Sequence, residues 1–305
     1  RYGYFNTDFW RPYAMTGLAI HALKHGIEVA FVQDLIRRRQ LQPDTPPLDV
    51  PNWPWRIRIF TLGRFGVMVD DHALPVDDRG KNKPLLLLKA LIAFGGREVS
   101  EESLCEALWP DAEGDVAHSA FTTNLSRLRK LLIRDALIMQ DGCLSLNDHL
   151  CWVDSWALER ELGEVEHLVA TPQVDPQTVA LQIETALALY KGRFLNHRQQ
   201  ASWMLAPREH LRQKVLRVID HIIAYYADLA MYAETVPLYQ KALEMDDVSE
   251  LHYRGLMNCY VELGEPVKAL ALYGQCRAAL QEKFQMPPSA KTEQLYQNIK
   301  SGEMG

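Results

Sequence analysis

The stretch that decides the fold runs Val116-Ala-His-Ser-Ala-Phe-Thr-Thr-Asn-Leu-Ser-Arg-Leu-Arg-Lys-Leu-Leu-Ile133. At 100° per residue, Phe121, Leu125, Leu128 and Leu132 fall on one narrow face, and Ser119, Thr123, Ser126, Arg127 and Lys130 share the opposite one. One side is built to pack and the other to meet something. No Asp or Glu occurs between Val116 and Ile133, although the chain as a whole is acidic, with 33 Lys and Arg against 39 Asp and Glu. A cationic stripe on an acidic protein points to a polyanion. Asp115 stands just before the stretch, and its carboxylate is expected to cap the first-turn N–H groups.

The flanks give this helix a context. Arg56 to Leu62 alternates, Gly63 and Gly66 punctuate, and Phe65 to Val69 leads into an Asp70-Asp71 turn, which predicts a small antiparallel sheet. Pro84 to Phe94 reads as a short buried helix that starts on proline and ends at Gly95-Gly96. Ser100 is expected to cap a second helix that Trp109-Pro110 stops. After the cationic helix, Leu137 to Leu146 reads as two strands around Asp141-Gly142, the type I′ hairpin signal. Sheet, two helices, a third cationic helix and a hairpin make a winged helix.

Upstream, residues 14 to 40 read as helical and close on Arg37, Arg38 and Arg39, which suits a helix C-terminus. Residues 42 to 55 contain five prolines in fourteen positions and read as a stiffened linker. Downstream, a period of 34 residues relates Tyr226 to Tyr260, Leu229 to Leu263, Val236 to Leu270, Leu238 to Leu272 and Tyr239 to Tyr273. That is the tetratricopeptide spacing, and it predicts helix pairs stacked in a solenoid, with the tyrosines packing between helices. Asp175-Pro176 and Ser289 mark two further helix starts.

A chain of 305 residues has room for about two to three domains, and 48% hydrophobic with 24% charged residues describes ordinary globular protein. No apolar run approaches the roughly 18 residues of a membrane span, and no signal peptide is evident, so a cytoplasmic location and no membrane partner are expected. The five cysteines form no C-x-x-C pair and read as reduced packing residues. His21 and His25 have the spacing of a metal pair, but two further ligands are missing and the reading favours packing. Arg79 to Lys83 lacks the glycine and hydroxyl of a phosphate loop, and no G-x-S-x-G elbow or metalloprotease helix occurs. Neither an enzyme nor a bound cofactor or metal is expected.

Leu108-Trp-Pro-Asp-Ala-Glu-Gly-Asp115 followed by Leu125-Ser-Arg-Leu-Arg-Lys-Leu131 resembles the DNA-binding domain of OmpR/PhoB-type and SARP-type bacterial regulators. Trp152-Val-Asp-Ser-Trp156, Ala188-Leu-Tyr-Lys-Gly192, Pro207-Arg-Glu-His-Leu211 and the tail from Pro288 to Tyr296 resemble the bacterial transcriptional activation domain that accompanies SARP-type domains. The resemblance implies a mainly α fold with a small β component, a winged helix-turn-helix followed by a TPR-like helical domain. It divides the chain into a helical remnant of an upstream domain (1–40), the linker (41–55), a winged-helix DNA-binding domain (56–150) and a TPR-like activation domain (151–305), as the C-terminal part of a larger regulator.

By position, the resemblance implies that Thr122, Thr123 and Arg127 face base edges of double-stranded DNA. Ser119, Asn124, Ser126, Arg129 and Lys130 then lie nearer phosphates, and Gln140, Asp141 and Gly142 form the wing. Gln140 and Cys143 depart from a hairpin that often carries arginine in this family. The implied partners are DNA, RNA polymerase and a second copy of the chain through the helical domain. The alternative is a helical-repeat scaffold whose winged helix does not bind DNA, since residues 56 to 149 hold 12 Lys and Arg against 14 Asp and Glu.

Overall fold

The computed structural model describes residues 11–50, 52–76, 82–196 and 201–302, so the segment Asp77 to Lys81 and part of the 1–40 region lie outside it. The chain divides into two compact units, residues 1–161 with 183–209, and residues 162–182 with 210–305. No helix of the described residues is long and apolar enough to cross a membrane.

The first unit opens with α1 (Pro12–Lys24) and α2 (Val29–Arg39). The sequence predicts one helix here, but the chain breaks at Gly26 and Glu28, both at positive φ, and the two helices pack on each other. Gly26 is the residue that makes the break cheap, because it adopts that conformation without a Cβ penalty. His21 and His25 are exposed rather than packed in a core, their rings 4.3 Å apart. The proline-rich stretch folds back against these helices: Leu41, Val50, Trp53 and Trp55 are buried in one cluster with Leu23, Val32, Ile36 and Trp152. Trp152 Nε1 donates to the Leu48 carbonyl and Arg160 to that of Pro46, so side chains satisfy carbonyls that the prolines leave without a ladder.

Next come β1 (Ile57–Phe60), β2 (Gly66–Val69) and β3 (His72–Ala73), which pair antiparallel in sequence order, Ile57 opposite Val69. The Asp70-Asp71 turn has both residues at positive φ, and Arg56 holds Asp70 through two parallel hydrogen bonds. A fourth strand, β7 (Cys151–Val153), adds parallel to β1 with Ile57 opposite Cys151. The sequence did not predict it, because three consecutive buried residues carry no alternation.

Helices α3 (Lys83–Ala93), α4 (Glu101–Leu108) and α5 (Gly114–Leu131) pack pairwise around Leu88, Leu91, Leu104, Phe121 and Leu128. Ser100 caps α4 as expected, its hydroxyl accepting from Ser103 N at 3.1 Å. A second sheet is built from β4 (Val99–Ser100), β5 (Leu137–Gln140) and β6 (Cys143–Leu146), in the order β4-β6-β5. The remaining helices are α6 (Asp154–Ala170), α7 (Pro176–Leu189), α8 (Leu205–Asp228), α9 (Tyr232–Met245), α10 (Glu250–Glu262), α11 (Pro266–Phe284) and α12 (Ala290–Ser301). Both Asp175 oxygens serve the start of α7, accepting from Gln177 N and the Thr178 hydroxyl.

In the second unit α10 packs against both α9 and α11, and α12 closes the stack. The 34-residue relation is visible in the turns: Met231 N donates to Tyr226 O, and Glu265 N to Tyr260 O. Tyr226 is fully buried and donates to the Pro176 carbonyl, whereas Tyr260 is half-buried beneath Lys268. The Tyr239 ring lies where a Cβ on Gly255 would stand, which lets α9 and α10 approach closely. Glu250 ties α12 down by accepting from Ser289 N, the Ser289 hydroxyl and the Thr292 hydroxyl.

Truncating Tyr226 to Ala should cost about 3 to 5 kcal/mol, as for other buried aromatics, and Tyr260→Ala clearly less; urea unfolding of the two variants would show the order. Gly255→Ala should cost about 1 to 3 kcal/mol through overpacking against Tyr239, measured the same way.

Burial pushes the Glu250 carboxyl upward, but hydrogen bonds from Thr292 and Ser289 outweigh it and hold the group below its ordinary value of 4.5. A depressed carboxyl contributes stability above that ordinary value and loses it as pH falls through the lower folded-state value. Protection of α12 amides, taken relative to intrinsic exchange at each pH, should therefore fall below about pH 4.5, and Glu250→Gln should flatten that dependence.

Candidate nucleic-acid interface

Helix α5 starts earlier than its sequence suggests. Glu113 takes the N-cap position without a side-chain cap bond, and Asp115, expected as the cap, sits inside the first turn. There its carboxylate still complements the positive end of the helix dipole. The apolar face is buried as predicted: Phe121, Leu125, Leu128 and Leu132 are each at most 6% exposed.

The opposite face is open to solvent. Ser119, Thr122, Thr123, Ser126, Arg127 and Lys130 are all exposed. Among the described residues neither Arg127 nor Lys130 forms an ion pair, so the charge of this face is uncompensated within the chain. Asn124 is a correction to the expected set. It is 4% exposed, its amide donates to the Ala120 carbonyl at 2.7 Å, and it faces inward between Phe121 and Leu128 in the helical repeat. An asparagine so placed cannot reach a phosphate. Arg129 is half-buried, and its guanidinium donates to Leu137 O at 3.5 Å, fastening α5 to the first strand of the hairpin.

That hairpin is well defined. Leu137 pairs with Leu146 and Gln140 with Cys143, and Asp141 and Gly142 turn the chain at φ 50° and 74°. Gln140, Asp141 and Gly142 are exposed at its tip, and β6 pairs on its other edge with β4, Val99 opposite Leu144. The hairpin therefore projects from a three-stranded sheet rather than hanging free. Arg134, absent from the expected site set, is exposed just beyond α5 and is the last residue of the acid-free run, which Asp135 closes.

The charge on the other flank has the opposite sign. Glu101, Glu102 and Glu106 of α4 line a cleft of about 570 Å³ with Trp109, Ala117 and His118, and the Glu101 carboxylate meets the His118 ring. Cation-and-hydroxyl surface and carboxylate surface thus lie on separate sides of one helix. Among the described residues no group of three or more His, Cys, Asp or Glu could hold a metal ion.

Residues 153–300 match the family model of the bacterial transcriptional activator domain. The chain is 25% identical over 220 residues to the regulatory protein AfsR of Streptomyces griseus, a match that takes in 72% of this chain and 22% of that protein. It also resembles the solved structure of Mycobacterium tuberculosis EmbR in complex with a low-affinity phosphopeptide. The TM-score is 0.60 at 19% identity, over 81% of this chain and 65% of that one. The match to the activator-domain model takes in just under half of the chain. It spans about a fifth of the curated relative's length. The fold shared with EmbR, a winged helix plus a helical domain, accounts for the element order of this chain.

The two positive φ values in the hairpin turn give a direct test of its geometry. Gly142→Val places a branched side chain in the left-handed region and should cost about 1 to 2 kcal/mol, with the loss of hydrogen-exchange protection confined first to β5 and β6.

Proposed function

We propose that this transcription regulator is a sequence-specific DNA-binding activator that lays α5 in the major groove. The observation that carries the reading is the exposed face of Ser119, Thr122, Thr123, Ser126, Arg127 and Lys130, cationic, unpaired and free of carboxylate, on an otherwise acidic chain. Thr122, Thr123 and Arg127 face base edges; Ser119, Ser126, Arg129 and Lys130 face phosphates; and Gln140, Asp141 and Gly142 approach the flanking groove as a wing. Residues 56–150 act as the DNA-binding domain and 151–305 as the activation domain, with the helical repeats supplying protein contacts or self-association. The acid-lined cleft beside α4 is the side open to RNA polymerase while α5 is occupied by DNA. Affinity in this reading comes from phosphate neutralisation and specificity from the helix.

The slight acidic excess of residues 56–149 favours the other reading, a protein-binding scaffold. Duplex binding measured against salt separates them: steep loss with salt supports DNA binding, and no binding at any salt supports the scaffold.

Arg127→Ala should cost about 1 to 3 kcal/mol on specific DNA and relax one base position, because a guanidinium fork pairs guanine O6 and N7. Binding-site selection that returns the parental motif at parental affinity would refute this placement. Lys130→Gln should weaken specific and random duplexes alike, since an ammonium contributes as a point charge without reading sequence.

A further inference from the structure

Near the end of α5 a cleft of about 310 Å³ is lined by Thr122, Leu125, Ser126, Arg129, Lys130 and Arg134. Three cations and two hydroxyls meet there, and the lining contains no carboxylate; Asp135, the nearest acid in sequence, is not part of it. Arg129 and Lys130 in the last turn of a helix are partly explained by the helix dipole. Arg134 is not. It lies beyond the helix, in the short turn Arg134–Ala136, yet it returns to the same cleft, and among the described residues it has no ion pair.

Gathering three like charges without a counterion raises the energy of the cleft, and an anion seated in it removes that cost. The donors suit a phosphodiester. A guanidinium presents two parallel N–H groups, an ammonium adds a flexible third direction, and Ser126 supplies a hydroxyl. The hydrogen bond from Arg129 to Leu137 O fixes one of the cations before any ligand arrives.

We propose that this cleft seats a single backbone phosphate of duplex DNA, with Arg134, outside the recognition helix, as a principal cation of the seat. The inference rests on the DNA-binding reading above and adds a residue and a one-phosphate geometry to it.

The test uses the full chain, a duplex selected by it and a random duplex. Arg134→Gln should weaken both several-fold and reduce the magnitude of the salt slope by about 1, for one fewer released counterion. Arg134→Lys should keep the slope, since it keeps the charge. Single methylphosphonate replacements, which make one phosphate neutral, should reveal one position where the parent protein loses affinity and Arg134→Gln loses no more, as a shared contact requires. If the parent and Arg134→Gln have the same salt slope while Arg127→Ala still relaxes a base position, the phosphate seat is wrong and DNA reading stands. Losses that add at every methylphosphonate position also overturn the seat. If the parent binds no duplex at any salt, the DNA-binding reading fails first and the seat with it.

Discussion

The first unit depends on one buried carboxylate. Asp154 stands at the junction of β7 and α6 and accepts from Thr61 N at 2.7 and 2.8 Å, from the Thr61 hydroxyl at 2.6 Å and from Leu62 N at 2.9 Å. Burial pushes this carboxyl above its ordinary value, while the hydrogen bonds from Thr61, Leu62 and Ser155 pull the other way. A buried acid in that balance fits only where every donor is in place. It therefore fixes the end of β1, the parallel register of β7 and the start of α6 at once. The same segment is held from a third side: Leu195 N donates to Thr61 O, Gly63 N to Arg193 O, and Arg208 to the carbonyls of Phe194 and Leu195. Gly63 and Gly192 face each other so closely that a Cβ on Gly192 would lie 3.2 Å from the Gly63 Cα. The motifs Trp152–Trp156, Ala188–Gly192 and Pro207–Leu211 are far apart in sequence, and this knot is the physical reason they occur together.

What the sequence made legible was local. The 3.6-residue period of α5, the Asp141-Gly142 turn and the serine at the start of α4 each declare themselves within a few residues, and the structure places all three as read. The break between α1 and α2, the parallel strand β7 and the inward turn of Asn124 depend on distant partners. Asn124 is instructive: its position on the helical wheel lies close to the packed face, but its polarity argued for solvent. Its hydrogen bond to Ala120 O lets the amide stay inside, at the expense of a buried Oδ1 without a partner. Arg134 was missed for a different reason, because helical periodicity cannot report on a residue that has left the helix.

The repeats show the limit of a period as an argument. The turns after α8 and α10 reproduce the same backbone hydrogen bonds 34 residues apart, and Ala230 adopts the positive φ that its counterpart Gly264 adopts without strain. Backbone geometry therefore follows the period. Burial does not. Tyr226 is covered because the loop at Val174 and Pro176 lies over it, with both Tyr225 and Tyr226 donating to that loop's carbonyls. Tyr260 lies beneath Lys268 instead and is half-buried. A terminal repeat is defined by what caps it, and the cap comes from outside the period.

An acidic chain that presents one cationic helix gains more than an attractive contact. A polyanion approaching the far flank of the same helix meets the Glu101, Glu102 and Glu106 surface, so that orientation is disfavoured before contact. Repulsion is screened over about 8 to 10 Å at ordinary salt, so it acts on encounter geometry rather than on the final affinity. The attractive part is short-ranged and sits where no chain carboxylate can compete for it. On the proposed reading, an overall basic domain would hold DNA in many poses, whereas an acidic one with the exposed cationic face of α5 favours the poses that bring α5 to the groove.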